Sequence, residues 1–267
     1  MLNILEDLID FIYYVIPRTE PTRKQLEQLK IVAHRGWHNN LDITENTMNS
    51  FQKALEENLF GIEFDVRWTK DGVPVIHHDA NCLRVWGQNI IISETDFSDL
   101  RSSLPDIPSL QEVVNQFGKK IHLFIELKEE RFLDLPDKRK TMSDILSGLS
   151  AINDFYIISL STYPVEVFNM FDKSTYLLVS AGLNLLEMSK ISLIHKYGGI
   201  MGHFLLCSDD VLKKHRGKNQ RIGTGFIKTK NCLKREILRE VDWVFTNHPW
   251  NIVSLIESVD SKNKHIL

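Results

Sequence analysis

The chain has 267 residues, of which 43% are hydrophobic and 25% charged, with a formal net charge of -3. This is an ordinary globular composition that excludes a disordered or fibrous chain, and the near-balanced charge gives no electrostatic case for nucleic acid. Cys82, Cys207 and Cys232 are an odd number without CxxC spacing, which argues against a disulfide framework or a zinc site and suits a reducing, cytoplasmic compartment.

No apolar run reaches the roughly eighteen residues of a membrane-spanning helix. Leu2 to Ile16 reads as an N-terminal amphipathic helix, with Leu5, Leu8, Ile9, Ile12, Val15 and Ile16 on one stripe and acids opposite. It lacks the basic n-region and cleavage site of a signal peptide. The reading adopted is a helix packed on the outside of the main domain. Peripheral membrane association is the alternative, but such helices carry Lys and Arg on the polar face, and Arg18 is the only cation nearby. Pro17 to Lys30 reads as a linker with one helical turn near Lys24, so residues 1–30 are set apart from a domain spanning 31–267.

Ile31-Val32-Ala33, bounded by Gly36, predicts a buried strand ending at His34 and Arg35. A helix capped by Thr44 or Asn46 follows, with the stripe Met48, Phe51, Ala54, Leu55 and Leu59. Gly61 ends it, and Ile62 to Val66 is the second strand. Thr69-Lys70-Asp71-Gly72 is a tight reversal that sends Val73 to His78 straight back. Asp79 to Pro105 reads as short irregular pieces. A helix over Ser109–Phe117, stopped by Gly118, leads to a strand over Ile121–Leu127.

Five further helix–strand alternations are predicted. The helices fall near Thr141–Ile152, Tyr163–Phe171, Leu185–Tyr197, Asp209–Arg216 and Asn231–Arg239. The strands fall at Phe155–Ser159, Thr175–Val179, Gly199–Gly202, Arg221–Phe226 and Asp242–Thr246, and a last helix begins after Pro249. The Lys213–Lys218 cluster reads as a solvated helix end. A parallel neighbour needs a crossover of about a dozen residues or more, so the strand carrying His78 must be the return arm of a hairpin. Without it, eight βα units in about 230 residues predict an α/β fold, a (β/α)8 TIM barrel, with a hairpin and a short irregular insertion after strand two.

In such barrels the chemistry sits at the C-terminal ends of strands. His34 and Arg35 end strand one, Glu63 and Asp65 share a face late in strand two, Glu126 and Lys128 end strand three, and His78 returns to the same rim. Three carboxylates suit one hard divalent cation, Mg2+ or Ca2+. Two imidazoles without thiolates suit acid–base work, and Arg35 and Lys128 suit a phosphate. Together these fit phosphodiester cleavage. Singly, each residue has a plainer explanation, such as a loop histidine, an exposed strand face or a solvated charged run at Lys128-Glu129-Glu130-Arg131. The ordered set would need several coincidences at once.

The series His34-Arg35-Gly36, Glu45-Asn46-Thr47, Glu63-Phe64-Asp65-Val66, Thr69-Lys70-Asp71-Gly72, then Pro74-Val75 running to His78-Asp79 and Leu83-Arg84, resembles the glycerophosphodiester phosphodiesterase family. The resemblance continues through Ile107–Leu110, Glu126-Leu127-Lys128 and Val241–Thr246, most of the chain. It implies the same barrel and catalytic His34 and His78. It implies metal ligation by Glu63, Asp65 and Glu126, substrate contacts from Arg35 and Lys128, and a place for Glu45 at or just behind the substrate site, bonded to Arg35. The implied reaction is hydrolysis of glycerophosphocholine, glycerophosphoethanolamine or a similar diester to glycerol 3-phosphate and an alcohol. Two alternatives are a lysophospholipase D-type hydrolase of single-chain phospholipids and a barrel that binds a phosphodiester without turnover. Trp37, Trp68 and Trp86 are candidates to line a lipid mouth, to stack on a quaternary ammonium, or simply to pack under loops. Three segments depart from the family's habit. Val85-Trp86-Gly87 lacks two threonines, Asn247 follows Thr246 in place of an aspartate, and Gly223–Phe226 lacks a tryptophan. These bear on substrate identity, since no ligand or catalytic histidine is lost.

Overall fold

The structure, a computed structural model, describes residues 16–180, 182–254 and 256. All but the last residue of the expected N-terminal helix lies outside the described residues. In chain order the strands are β1 (Ile31–His34), β2 (Gly61–Trp68), β3 (Pro74–Ile76), β4 (His122–Leu127) and β5 (Phe155–Ser159). They continue as β6 (Tyr176–Ser180), β7 (Gly199–His203), β8 (Arg221–Gly225) and β9 (Trp243–Thr246). The pairing order is β1-β9-β8-β7-β6-β5-β4-β2-β3, and β1 also pairs with β2. Eight parallel strands therefore close into the predicted barrel. β3 stands outside it, antiparallel to β2, with Val66 opposite Ile76 and Trp68 opposite Pro74.

The hairpin is closed by its own turn chemistry. The Thr69 hydroxyl donates to Asp71 Oδ1 at 2.6 Å and accepts from the Val73 amide at 3.0 Å, while Gly72 supplies the left-handed backbone at φ 81°. β2 runs two residues beyond the expected strand end, and this carries the hairpin above the barrel mouth.

Most elements fall within one or two residues of their sequence signals, but three details differ. The helix Met48–Glu56 is capped by Thr47, through a reciprocal pair with Ser50, and not by Thr44 or Asn46. Asn46 is left-handed at φ 56°, which frees its side chain for another task. The helix after β4 spans Leu135–Leu146 and not Thr141–Ile152, because Pro136 suits a first helical turn and the helix stops short of Gly148. The helix over Thr162–Val167 stops before the expected Phe171, since Phe168 leaves helical geometry at ψ 46°.

The alternation along each strand separates two cores. Outward residues such as Ile62, Phe64, Ile125 and Ile157 meet Phe51, Phe117 and the other helix residues. Inward residues Val32, Phe124, Tyr156, Ile158, Leu177, Met201, Trp243 and Phe245 fill the barrel. Phe124 makes edge contacts with Trp243 at 5.1 Å and Phe245 at 5.0 Å, and His122 lies against it from below. This aromatic plug closes the lower barrel and leaves only the C-terminal end open. The insertion after β3 has a small core of its own, Val75, Cys82, Ile92, Leu100, Leu104 and Ile107. It contains the short helices Leu83–Trp86 and Phe97–Ser103. Among the described residues no helix is long and apolar enough to cross a membrane.

Phe124 is fully buried at the centre of the plug. Phe124→Ala is expected to cost about 3–5 kcal/mol of unfolding free energy by denaturant titration. A loss below about 1 kcal/mol would show that the aromatic plug does not hold the barrel.

Candidate active site

β1, β2 and β4 are neighbours in the closed sheet, and their register sets His34 beside Glu63 and Asp65 beside Glu126. Glu63, Asp65 and Glu126 are 1%, 0% and 4% exposed, and one oxygen from each lies within 4.8 Å of the others. Burial pushes the Glu63 and Glu126 carboxyls up, and Asp65 between them pushes them further, to about 8 and about 7. Burial acts the same way on Asp65. There Lys128 and Arg35 outweigh it and hold the carboxyl below its ordinary range. Lys128 Nζ reaches Asp65 Oδ1 at 2.6 Å and also bonds Glu126. Asn46 Nδ2 donates to Asp65 Oδ2 at 2.8 Å.

The arrangement fits a hard divalent cation. Glu63 Oε1 is buried without a hydrogen-bond partner, and the donors are all carboxylate oxygens without thiolate or imidazole. Three ionised carboxylates in so small a volume need more positive charge than Lys128 and Arg35 supply.

The two imidazoles face the same cavity from different partners. His34 Nδ1 bonds the side-chain oxygen of Asn247, and Nε2 lies 3.6 Å from Glu63 Oε2. His78 Nδ1 bonds Asp79 Oδ1 at 2.7 Å. Burial lowers both imidazoles from their ordinary value. In each ring the partner engages Nδ1, which leaves Nε2 for the cavity.

His78 is held in place from two directions. Arg67 Nε donates to the His78 carbonyl at 2.8 Å, and Arg67 is itself paired with Glu130 at 3.2 Å. On the other side Asp79 Oδ2 accepts from Arg84 at 2.6 Å, and Arg84 forks onto both oxygens of Glu45 at 2.7 and 3.1 Å. Glu45 also accepts from Arg35 at 2.9 Å and from Asn40 at 2.6 Å. Glu45 is therefore saturated and buried, behind the cavity and not on its wall, bonded to Arg35 as the motif implied. Arg35 sits in the left-handed region at φ 59°, with its amide on Glu63 Oε2 at 3.0 Å. Gly36 follows at φ 81°, where a Cβ would stand 2.4 Å from Ser50 Oγ.

The cavity at the barrel mouth has a volume of about 300 Å³. His34, Arg35, Glu63, His78, Glu126 and Lys128 line one side of it, and apolar residues from β5 to β9 line the other. All eight sequence-selected residues thus belong to one constellation, seven through direct proximity to the cavity or carboxylate cluster and Glu45 through Arg35. Sequence reading missed Asn46, Asp79, Arg84 and Asn247 as site residues. The only signals were Asn46 within the Glu45–Thr47 triplet, Asp79 and Arg84 within the motif series, and the departure at Asn247. The three tryptophans do not line the cavity. Trp37 packs against Trp250, Trp68 stacks on Phe168, and Trp86 joins the core of the insertion. His77 turns away onto the Asp79 carbonyl.

The sequence profile of the Glycerophosphoryl diester phosphodiesterase family matches residues 34–195. The chain belongs to that family. Among relatives of this glycerophosphodiester phosphodiesterase family, Glycerophosphodiester phosphodiesterase 1 of Mus musculus is 30% identical over 128 residues, 40% of this chain and 38% of its own length. The chain therefore spans well under half of that relative. Of solved structures, a glycerophosphodiester phosphodiesterase from Thermotoga maritima shares the fold with a TM-score of 0.71 at 23% identity, over 85% of this chain and 98% of its own. A phosphodiesterase from Oleispira antarctica, in complex with the product sn-glycerol-3-phosphate, aligns with a TM-score of 0.67 at 18% identity, over 87% and 99%.

Burial pushes the Glu45 carboxyl up, but hydrogen bonds from Arg84 and Asn40 prevail and hold it at about 2. A depressed carboxyl adds stability that is complete above its unfolded value, about 4.5, and is lost as pH falls through about 2. The acid limb of the stability–pH curve between those values is expected to flatten in Glu45→Gln, by up to about 3 kcal/mol. An unchanged limb in denaturant titrations would show that the Glu45–Arg84 contact adds nothing to stability.

Proposed function

We propose that this chain is a divalent-cation-dependent phosphodiesterase that hydrolyses glycerophosphodiesters to glycerol 3-phosphate and an alcohol. The observation that carries the reading is the convergence, on one cavity, of three buried carboxylates, two imidazoles each tethered through Nδ1, and the cations Arg35 and Lys128.

Glu63, Asp65 and Glu126 hold the cation, Mg2+ or Ca2+. When bound there it supplies electrostatic stabilisation of the charge that develops on the phosphate oxygens. Arg35 and Lys128 offer the phosphate a guanidinium and an ammonium donor from the same side. Glu45 holds Arg35 by an ion pair, Lys128 and Arg35 keep Asp65 ionised, and Asn46 orients it by a hydrogen bond.

The partners of the two histidines support different roles for them. His34 is held by a neutral amide in a buried setting that favours uncharged imidazole, which suits the base that takes a proton at Nε2 from the attacking hydroxyl. His78 is held by the Asp79 carboxylate, which works against the burial that lowers this ring, so of the two it is the better placed to carry the proton that the departing alkoxide takes. Arg84 and Arg67 keep that ring aimed at the cavity.

His34→Ala and His78→Ala are each expected to lower turnover of glycerophosphocholine or glycerophosphoethanolamine about 10²–10⁴-fold, while a calorimetric titration with Mg2+ or Ca2+ remains close to that of the parent. Asp65→Asn is expected to weaken that titration sharply. Full turnover in either histidine variant would refute the acid–base assignment, and an unaltered titration in Asp65→Asn would remove it from the ligand set. Turnover of these diesters unaffected by EDTA would exclude the cation requirement.

A further inference from the structure

Asp65 and Glu126 share one partner, Lys128. Its Nζ stands 2.6 Å from Asp65 Oδ1 and bonds Glu126 Oε1, and both carboxylates belong to the cluster that fits a divalent cation. The other oxygen of Asp65 is committed elsewhere. Oδ2 accepts from Asn46 at 2.8 Å and lies 3.5 Å from Arg35 Nε. Oδ1 is therefore the oxygen that Asp65 has left for an ion, and the Lys128 ammonium stands on it. Mg2+ and Ca2+ bind carboxylate oxygens at about 2.0–2.6 Å. An ammonium and a dication that close to one buried oxygen would repel each other strongly.

The two cations beside the cluster differ in how they are held. Arg35 is anchored from behind by Glu45 at 2.9 Å, and its amide is fixed on Glu63 at 3.0 Å. Lys128 has both of its ion pairs within the cluster itself. Its contact with Asp65 Oδ1 lacks hydrogen-bond alignment, since that oxygen is buried without a hydrogen-bond partner. The four-carbon stem is flexible and lines the cavity, so the ammonium can turn into open volume while the backbone stays on the Val66 carbonyl. Charge balance favours such an exchange. With all three carboxylates ionised, Arg35 and Lys128 leave one negative charge uncovered. A divalent ion converts this into one positive charge, which matches the single negative charge of a phosphodiester.

We propose that Lys128 is a displaceable counter-ion, which holds Asp65 and Glu126 until the divalent cation takes them and then turns to the phosphate. The ion therefore binds before the diester, and Lys128 links the two events. The proposal rests on the phosphodiesterase reading above and adds an order of binding to it. No covalent bond changes; one ion pair is exchanged for another.

The test follows the lysine itself. The whole chain is labelled by reductive methylation in EDTA, and again with saturating Mg2+ or Ca2+ in the absence of any phosphate compound. Each lysine is then read by peptide mass spectrometry. Lys128 is expected to be labelled about fivefold faster or more with the ion, because its ammonium is released into the cavity. Lys213, exposed on the helix Asp209–Arg216, is expected to keep its rate. Lys128→Met removes the ammonium and keeps an unbranched stem. It is expected to bind the ion about tenfold more tightly or better in a calorimetric titration. Labelling of Lys128 that the ion leaves unchanged or slows would overturn the displacement and leave the phosphodiesterase reading standing. An ion affinity in Lys128→Met no higher than the parent's would do the same. Binding of neither ion by the parent would overturn both this proposal and the cation-dependent reading.

Discussion

Three buried carboxyl groups on two adjacent strands, one oxygen of each within 4.8 Å of the others, set the terms for the rest of this molecule. Like charges this close in a low-dielectric setting cannot all ionise unaided. Glu63 and Glu126 are accordingly pushed up, and Asp65 alone stays low because Lys128 and Arg35 converge on it. The barrel accepts this conflict because the closed sheet fixes the strands beneath. The register of β1, β2 and β4 leaves no freedom for the side chains to move apart. A divalent cation held by the three would resolve the repulsion, so that binding the ion and relieving the fold would be the same event.

The positive charge drawn in by those carboxylates also organises the insertion. Arg35 faces Asp65 and turns to Glu45, Glu45 takes the fork of Arg84, and Arg84 takes Asp79, whose second oxygen holds His78. Signs alternate along the whole path, and each buried charge has its partner. Arg84 is itself exposed, but removing it would strand the buried Glu45 carboxylate that it forks onto. The path therefore ties a histidine on a hairpin outside the barrel to the ion cluster within it. Arg67 and Glu130 brace the same histidine through its backbone, and the apolar core under β3 supports both. A hairpin of marginal independent stability is thus given three anchors.

What was legible in the sequence was what strand periodicity and short-range motifs carry. Glu63 and Asp65 are two apart and must share a face. Thr69–Gly72 cannot cross over and must turn. Phe124 and Glu126 must point opposite to Leu123 and Ile125, and they do. The failures were of two kinds. Local competition misled the helix limits, where Pro136 opens a helix read as starting at Thr141, and Thr47 caps where Asn46 was a fair candidate. Contacts between distant segments were invisible. Asn247 meets His34 across 213 positions and announced itself only as a departure from a motif. The apolar wall had no signature at all, because it is assembled from single residues on five strands. The tryptophans drew attention by size, yet their rings pack under loops.

The wall also depends on what is missing from two strands. On this side of the cavity, beside Ile158, Val179 and Phe245, β7 and β8 contribute Gly202, Gly223 and Gly225 to the lining. Gly223 is a packing requirement, since a Cβ there would stand 2.9 Å from both Met201 and the Phe245 ring. Gly225 is not crowded in that way. Its nearest neighbours would be 3.6 Å or more from a Cβ, and its backbone is not left-handed. Glycine weakens a strand, so where neither packing nor backbone demands it, the empty volume beside it is the remaining physical reason for its presence. One half of the mouth is therefore shaped by charge and the other by space kept open between apolar walls.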